Sequence, residues 1–216
     1  MTRRILVIGA GGHGPVTADA LLARGETVVG FLDNDPALQG REIMGLPVFG
    51  EEETRGDPLF HDCALANGIG GVGRGGRPST RRVVQERLEL AGREFVGVRH
   101  PGTIVSRFAV IDPTAQLFAS SVVLACVRIG KGCVVNTEAI VEHDCDVDAF
   151  AYCAPGSMVC GDALIGEDAH IGAGAVVQQG IRLGDGVMVG AGAAVISDYS
   201  GSSTLCGVPA EAKGKP

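Results

Sequence analysis

From Val105 onward the apolar positions of the chain recur every six residues. Written as hexads, the sequence runs VSRFAV, IDPTAQ, LFASSV, VLACVR, IGKGCV, VNTEAI, VEHDCD, VDAFAY, CAPGSM, VCGDAL, IGEDAH, IGAGAV, VQQGIR, LGDGVM, VGAGAA, VISDYS, with no insertion. The first position is aliphatic in 15 of the 16 hexads, with Cys153 as the exception; the fifth is Ala, Ser, Cys or Val in 14, with Ile181 and Tyr199 outside the rule. This period is neither that of a helix nor that of a lone strand, and it holds for 96 residues. Three hexads of short strand and turn make one triangular coil of 18 residues with the first and fifth positions inward. The pattern therefore predicts a parallel β-helix of about five coils, each burying its apolar edge only against its neighbours.

Residues 1 to about 100 follow a different rhythm. ILVI (5–8) reads as a buried strand, GAGGHG as a turn, and roughly 15–24 as a helix with Val16, Ala20 and Leu21 on one face. TVVGFL (27–32) is a second strand ending at DNDP, and CALA (63–66) a third ending in a glycine-rich loop. Residues 79–92 read as a helix entered through Ser79 and stopped at Gly92, with FVGV (95–98) as a last strand. Alternating strand and helix implies a small parallel sheet with ligands at the carboxyl ends of its strands. The expected organisation is an α/β, Rossmann-like domain over 1–100, followed over 101–216 by the β-helix and a C-terminal tail.

Composition agrees with a repetitive core. Aromatic residues make up only 4% of the chain while glycine reaches 34 residues, so aliphatic and small side chains must pack against closely spaced backbone. A net charge of −7 argues against nucleic acid as a partner, because phosphate backbones are bound mainly by clustered Lys and Arg. MTRRILVIGAGG has the arginines of a secretory signal, but its apolar run is too short and enters glycines directly. No stretch reads as a membrane span. Seven cysteines without a C-x-x-C pair suggest free thiols in a reducing cytoplasm.

The sequence VEHDCD (141–146) sets His143 between Glu142 and Asp144. His143 holds the third position of its hexad, so it faces outward while Val141 and Cys145 fill the core. Imidazole titrates near neutral pH, and a neighbouring carboxylate fixes its tautomer, as a general base requires. Eighteen residues on, one full coil, is Gly161, whose backbone N–H is open to a thioester carbonyl and could stabilise an oxyanion. The bland alternative is a solvated histidine on a turn. GAGGHG fits G-x-G-x-x-G through Gly9, Gly11 and Gly14, and Asp33 follows the second strand, which alone would suggest a dinucleotide site.

The hexads, together with GAGGHG, FLDND (31–35), the HPGTIV junction (100–105), VEHD and CGVPA (206–210), resemble the left-handed β-helix acyltransferases over nearly the full chain. The branch resembled comprises bacterial N-acetyltransferases of nucleotide-linked amino sugars and the sialic acid O-acetyltransferase-like proteins. The resemblance implies direct acyl transfer from acetyl-CoA, with His143 as base, Asp144 as its carboxylate and Glu142 second to it. It implies Asn136 on the acceptor side and a nucleotide-sugar in the glycine turn, with Gly9, Gly11, Gly12, His13 and Gly70 near it and Asp33 and Asn34 near the base. On the acetyl-CoA side it implies Gly161, Ala191 and Lys213. Some relatives carry a second histidine nine residues after the base, touching acetyl-CoA; this chain has Tyr152 there, whose hydroxyl could take that place on the acetyl-CoA side. A cytoplasmic homotrimer with active sites between subunits is the expected assembly.

Arg128, Lys131, Arg182, Lys213 and Lys215 are candidates for CoA phosphates, against the simpler reading of solvated charges. In the loop 68–82, Arg74, Arg77, Arg81 and Arg82 could wrap a pyrophosphate, or the last two could lie on a solvated helix face. Three other functions compete. The first is O-acetylation of a sialic acid or other sugar hydroxyl. The second is a non-catalytic sugar-nucleotide scaffold. The third, a zinc enzyme, needs three converging histidines; the repeats offer only His143 and His170, 27 residues apart and out of register, so no metal is expected.

Overall fold

The computed structural model describes residues 3–50, 60, 62–71 and 78–213. It falls into two units: residues up to 71 with 80–101, and residues 78, 79 and 102 onward.

In the first unit the buried run β1 (Arg4–Ile8) leads into α1 (His13–Ala23), followed by β2 (Thr27–Leu32), β3 (Glu42–Ile43), β4 (Leu46–Phe49), β5 (Ala64–Asn67) and α2 (Thr80–Leu90). The sheet order is β3-β4-β2-β1-β5; all neighbours are parallel except β3 and β4, a hairpin the apolar pattern did not reveal. Helix α1 starts earlier than residue 15, so His13 and Gly14 belong to its first turn. Gly14 is there because a Cβ would strike the Gly9 carbonyl. The strand expected over 95–98 is reduced to a bridge between Phe95 and Leu65, with a two-residue strand at Val98–Arg99. The four-residue β5 offers no longer edge to pair with. Asn67 at its end is buried and donates from Nδ2 to the Arg81 carbonyl (2.9 Å) and Gln85 Oε1 (3.0 Å), pinning α2 to the sheet.

The second unit is a left-handed parallel β-helix whose two-residue strands pair with strands 18 residues away. Ile104–Val105, Val122–Val123, Ile140–Val141, Met158–Val159, Val176–Val177 and Ala194–Val195 form its first face. The second face runs from Val110–Ile111 to Arg182–Leu183. The third runs from Gln116–Leu117 through Val134–Val135, Tyr152–Cys153, His170–Ile171 and Met188–Val189 to Thr204–Cys206, closed by the antiparallel strand Glu211–Lys213.

The hexad register holds throughout. First positions from Leu117 to Val195 are all buried, Cys153 included, and so are the fifth positions from Ala115 to Ala193. Tyr199, the aromatic exception, is partly buried and donates its hydroxyl to the Ala210 carbonyl at 2.8 Å, where the chain folds over the end of the bore. The corners follow a rule of their own. From Ser120 to Gly192 every fourth position of a hexad has a φ between 53° and 73°, whether glycine or not. Each corner thus needs one left-handed residue, which Gly and Asp tolerate better than most.

Candidate active site

His143 lies on the corner between the first and second faces. The fourth-position residue, Asp144, has φ 58° and donates its N–H to the Ala125 carbonyl one coil back (3.0 Å). That left-handed turn points the carboxylate back along the chain, so that Oδ2 accepts a hydrogen bond from His143 Nδ1 at 2.8 Å. With the proton on Nδ1, the Nε2 lone pair is free to accept one from a substrate. Both side chains are about half exposed, which leaves the pair open to solvent and ligand. Glu142 is not the partner of the ring: its carboxylate makes no hydrogen bond among the described residues. Its charge instead adds to burial in raising the Cys160 thiol above its ordinary range.

Gly161 stacks over this pair. A Cβ on Gly161 would lie 2.6 Å from His143 Cε1 and 2.7 Å from Nε2, so the imidazole occupies the space that any side chain at Gly161 would take. The next residue, Asp162, donates its N–H to the His143 carbonyl at 2.9 Å and fixes the spacing of the two coils. The Gly161 N–H has no partner among the described residues. The sequence locates this glycine; that it is the seat of the ring is visible only in three dimensions.

A second polar cluster occupies the corner between the third and first faces. The buried Asn136 donates from Nδ2 to the Tyr152 hydroxyl at 2.7 Å and accepts the Thr137 N–H at Oδ1 (2.8 Å). Tyr152 stands in register with His170, their rings 5.4 Å apart. The sequence placed Asn136 and Tyr152 on opposite substrates' sides, and their direct bond was not foreseen: 16 residues, two short of a coil, is the interval that joins position two to position six of neighbouring strands. Beyond Asn136 the same corner continues as Ala154–Pro155–Gly156, Gly172–Ala173–Gly174 and Gly190–Ala191–Gly192, so Ala191 ends a run of small side chains. Lys213 lies in the exposed last strand.

In the first unit the glycines of GAGGHG separate into two kinds. Gly9 and Gly14 are in tight contact with each other and with the loop after β5, whereas Gly11 and Gly12 have ordinary φ and nothing within 4 Å of a built Cβ. His13 packs against Gly70, where a Cβ would come within 3.1 Å. Asp33 uses both oxygens on backbone, accepting from the Ala10 N–H (2.7 Å) and the Asp35 N–H (2.9 Å), and so ties the glycine turn to the end of β2. Asn34 beside it is exposed. Arg81 is buried rather than on a solvated face, while Arg82 pairs with Glu86 at 3.1 Å. Arg128 pairs with Asp146 at 3.5 Å. Arg74, Arg77 and Lys215 lie outside the described residues.

Known proteins share this fold. The PglD N-terminal domain family model matches residues 4–88, and the bacterial transferase hexapeptide (six repeats) model matches residues 162–197. The acetyltransferase domain of PglB from Neisseria gonorrhoeae FA1090, solved in complex with acetyl coenzyme A, is 33% identical; the match covers 99% of this chain and 100% of that one, with a TM-score of 0.88. The chain belongs to the hexapeptide-repeat sugar acetyltransferases. PerB from Caulobacter crescentus, solved with CoA and GDP-perosamine, is another such neighbour, at 32% identity over 97% of each chain and a TM-score of 0.87. The GDP-perosamine N-acetyltransferase of Escherichia coli O157:H7 is 27% identical over 76% of this chain and 73% of its own length. This acetyltransferase has no helix, among its described residues, long and apolar enough to cross a membrane.

Proposed function

We propose that the protein transfers the acetyl group of acetyl-CoA to the amino group of a nucleotide-linked amino-deoxy sugar, with His143 as general base. The observation that carries this reading is the His143–Asp144 pair seated on Gly161. Its Nδ1–H is committed to a carboxylate, its Nε2 has no hydrogen-bond partner among the described residues, and a backbone N–H without a partner stands one coil above. In this reaction Nε2 takes the proton of the amine as the nitrogen attacks the thioester carbonyl. The Gly161 N–H donates to the developing oxyanion, the tetrahedral species collapses, and the CoA thiolate leaves. Asp144 holds the tautomer and stabilises the imidazolium.

The first unit (1–100) binds the nucleotide portion. Gly11 and Gly12 leave open space at the start of α1, where backbone N–H groups and the helix dipole favour phosphate, with His13 and Gly70 alongside. Asp33 acts there by holding the turn in shape, and the exposed Asn34 meets the base. The relatives' ligands point the same way: PerB was solved with GDP-perosamine, and a Bacillus subtilis (strain 168) relative, 32% identical over 54% of this chain, is a UDP-N-acetylbacillosamine N-acetyltransferase.

The working assembly is a homotrimer. Outward from the first face project Ile104, Val122, Ile140, Met158, Val176 and Ala194, an unbroken apolar ladder, whereas on the second face Arg128, Asp146 and Arg182 interrupt Val110 and Leu164. Three prisms turning this face to a common axis set the His143 edge of each against the Asn136 edge of the next. Acetyl-CoA then lies between copies, along the small residues leading from Tyr152 to Ala191, with Asn136 on the acceptor side and Lys213 available to the CoA phosphates.

The test is incubation with acetyl-CoA and a panel of GDP- and UDP-linked amino sugars, following CoA thiol release and product mass. Acetylation of an amine is expected; turnover of sialic acid hydroxyls alone would overturn the N-acetyl assignment. Sedimentation should give a trimer, and Ile140→Arg should yield monomers without activity.

A further inference from the structure

The corner that carries His143 continues below it, and its third positions, 18 residues apart, are Arg107, Ala125, His143 and Gly161. Coils are stacked about 5 Å apart, so Arg107 stands about 10 Å from the base along the same edge. Only the small Ala125 lies between them. Next to Arg107 is Phe108, 62% exposed and the sole exposed aromatic side chain among the described residues. The other phenylalanines are buried or half-buried. The Arg107 guanidinium lies over the Phe108 ring, 4.8 Å from its centroid, and has no carboxylate partner among the described residues, although acidic side chains outnumber basic ones 25 to 18. Val110, also exposed, extends the apolar surface.

The two sides of His143 are chemically different. Above it the Gly161 N–H offers a donor for a thioester carbonyl, so the attacking amine approaches from below. That side ends in an apolar ring carrying a fork of N–H donors. A guanidinium stacked on an aromatic face keeps its N–H edge free and oriented, which suits bidentate recognition of phosphate. A separation of two coils matches the reach from a reactive amine across a hexose ring to the phosphate at its anomeric carbon.

We propose that Arg107 and Phe108 form an acceptor subsite on the second unit: Arg107 binds the sugar-proximal phosphate of the nucleotide-linked substrate, and Phe108 supports the apolar face of its deoxyhexose. The proposal rests on the acetyl-transfer reading of His143 and names the residues that select the acceptor. It predicts a change in acceptor KM without a change at the donor.

The experiment compares wild type with Arg107→Ala, Arg107→Lys and Phe108→Ala, in steady-state kinetics and in calorimetric titration with GDP-linked and UDP-linked hexoses. Arg107→Ala should raise the KM for the amino-sugar nucleotide about tenfold or more, as loss of a charge-assisted bidentate contact implies. The KM for acetyl-CoA and kcat should stay within about twofold, with partial rescue by Arg107→Lys. Phe108→Ala should raise the same KM by a smaller factor while the oligomer persists. Unchanged acceptor KM, an equal effect on acetyl-CoA, or dissociation of the oligomer on Phe108→Ala would overturn the subsite, the last by making Phe108 an interface residue. If wild type acetylates no nucleotide-linked amine yet binds a nucleotide-hexose in an Arg107-dependent way, the subsite stands and the acetyl-transfer reading falls. If it neither acetylates nor binds any, both fall.

Discussion

Two consecutive corners of one coil, Glu142–His143–Asp144 and Asp148–Ala149–Phe150, share a backbone and diverge in everything else. Their fourth residues have φ of 58° and 57°, and each donates its N–H to the third-position carbonyl one coil back, Ala125 for Asp144 and Lys131 for Phe150. At the first corner an exposed imidazole lies on a glycine of the following coil, Gly161. At the second a buried phenyl ring, 2% exposed, lies on a glycine of the preceding coil, Gly132. A left-handed Phe costs about 1 kcal/mol or more, which burial of the ring, about 1.5–3 kcal/mol, offsets. The β-helix supplies the same corner many times over. What a corner presents to solvent depends on what occupies its third and fourth positions and on which neighbouring coil keeps a glycine beside it.

The comparison is broken most severely by removing the two rings. His143→Ala should lower acetyl transfer by about 10²–10⁴-fold, the usual contribution of a general base, with an unchanged melting temperature. Phe150→Ala should do the opposite, destabilising the fold by about 3–5 kcal/mol while molecules that remain folded keep their kcat. An active His143→Ala enzyme would remove His143 as the base.

Exchanging the glycines is the next largest test. Gly161→Ala keeps the backbone N–H but sets a methyl group where the ring rests, so kcat should fall about ten- to a hundredfold with little loss of stability, since an exposed imidazole can swing outward. If the N–H were all that Gly161 contributed, Gly161→Ala would stay near wild-type rates. Gly132→Ala meets Phe150 and a φ of 59° together, and should cost about 2–3 kcal/mol in urea denaturation without touching kcat.

These tests also mark what the sequence makes legible. The inward positions, the 18-residue step and the outward place of His143 can be read from the hexads, because burial in a solenoid repeats and leaves a periodic record. The fourth-position rule is hidden, since Ser120, Cys126, Glu138 and Phe150 adopt the same left-handed turn as the glycines and share no side-chain property with them. Asn136–Tyr152 is hidden for another reason: it is a contact between outward residues, on which core packing places no constraint. In the first unit GAGGHG and Asp33 mark the right turn, but the motif does not tell Gly9 and Gly14, which pack, from Gly11 and Gly12, which leave room. Arg107 and Phe108 carry no motif at all.

A milder change separates the two functions of Asp144. Asn tolerates the left-handed corner nearly as well as Asp, so Asp144→Asn should keep the fold and lower kcat about tenfold through a weaker acceptor for Nδ1–H. Asp144→Ala should show the same kinetic loss and add about 1 kcal/mol of instability. Equal stability of the two variants would mean that the φ of 58° is not a strained feature of this corner.

The smallest contrast lies just inside the corners, where Cys145 follows Asp144 and Ala151 follows Phe150. Burial raises the Cys145 thiol from 9.0 to about 11, with the charges of Cys160, Glu142 and Asp162 adding to it. The charged form is therefore disfavoured in the folded protein, and the unfolded chain loses its proton first as pH rises. The associated stability is fully present below pH 9, falls as pH climbs from there, and is lost by about pH 11. At pH 10 the effect for this one thiol is about 1 kcal/mol. Urea midpoints should thus decline from pH 8.5 to 10.5 more steeply in wild type than in Cys145→Ala, whatever packing cost the substitution adds at both pH values. Parallel slopes would show that the thiol behind the His143 corner ionises as readily in the folded chain as in the unfolded one.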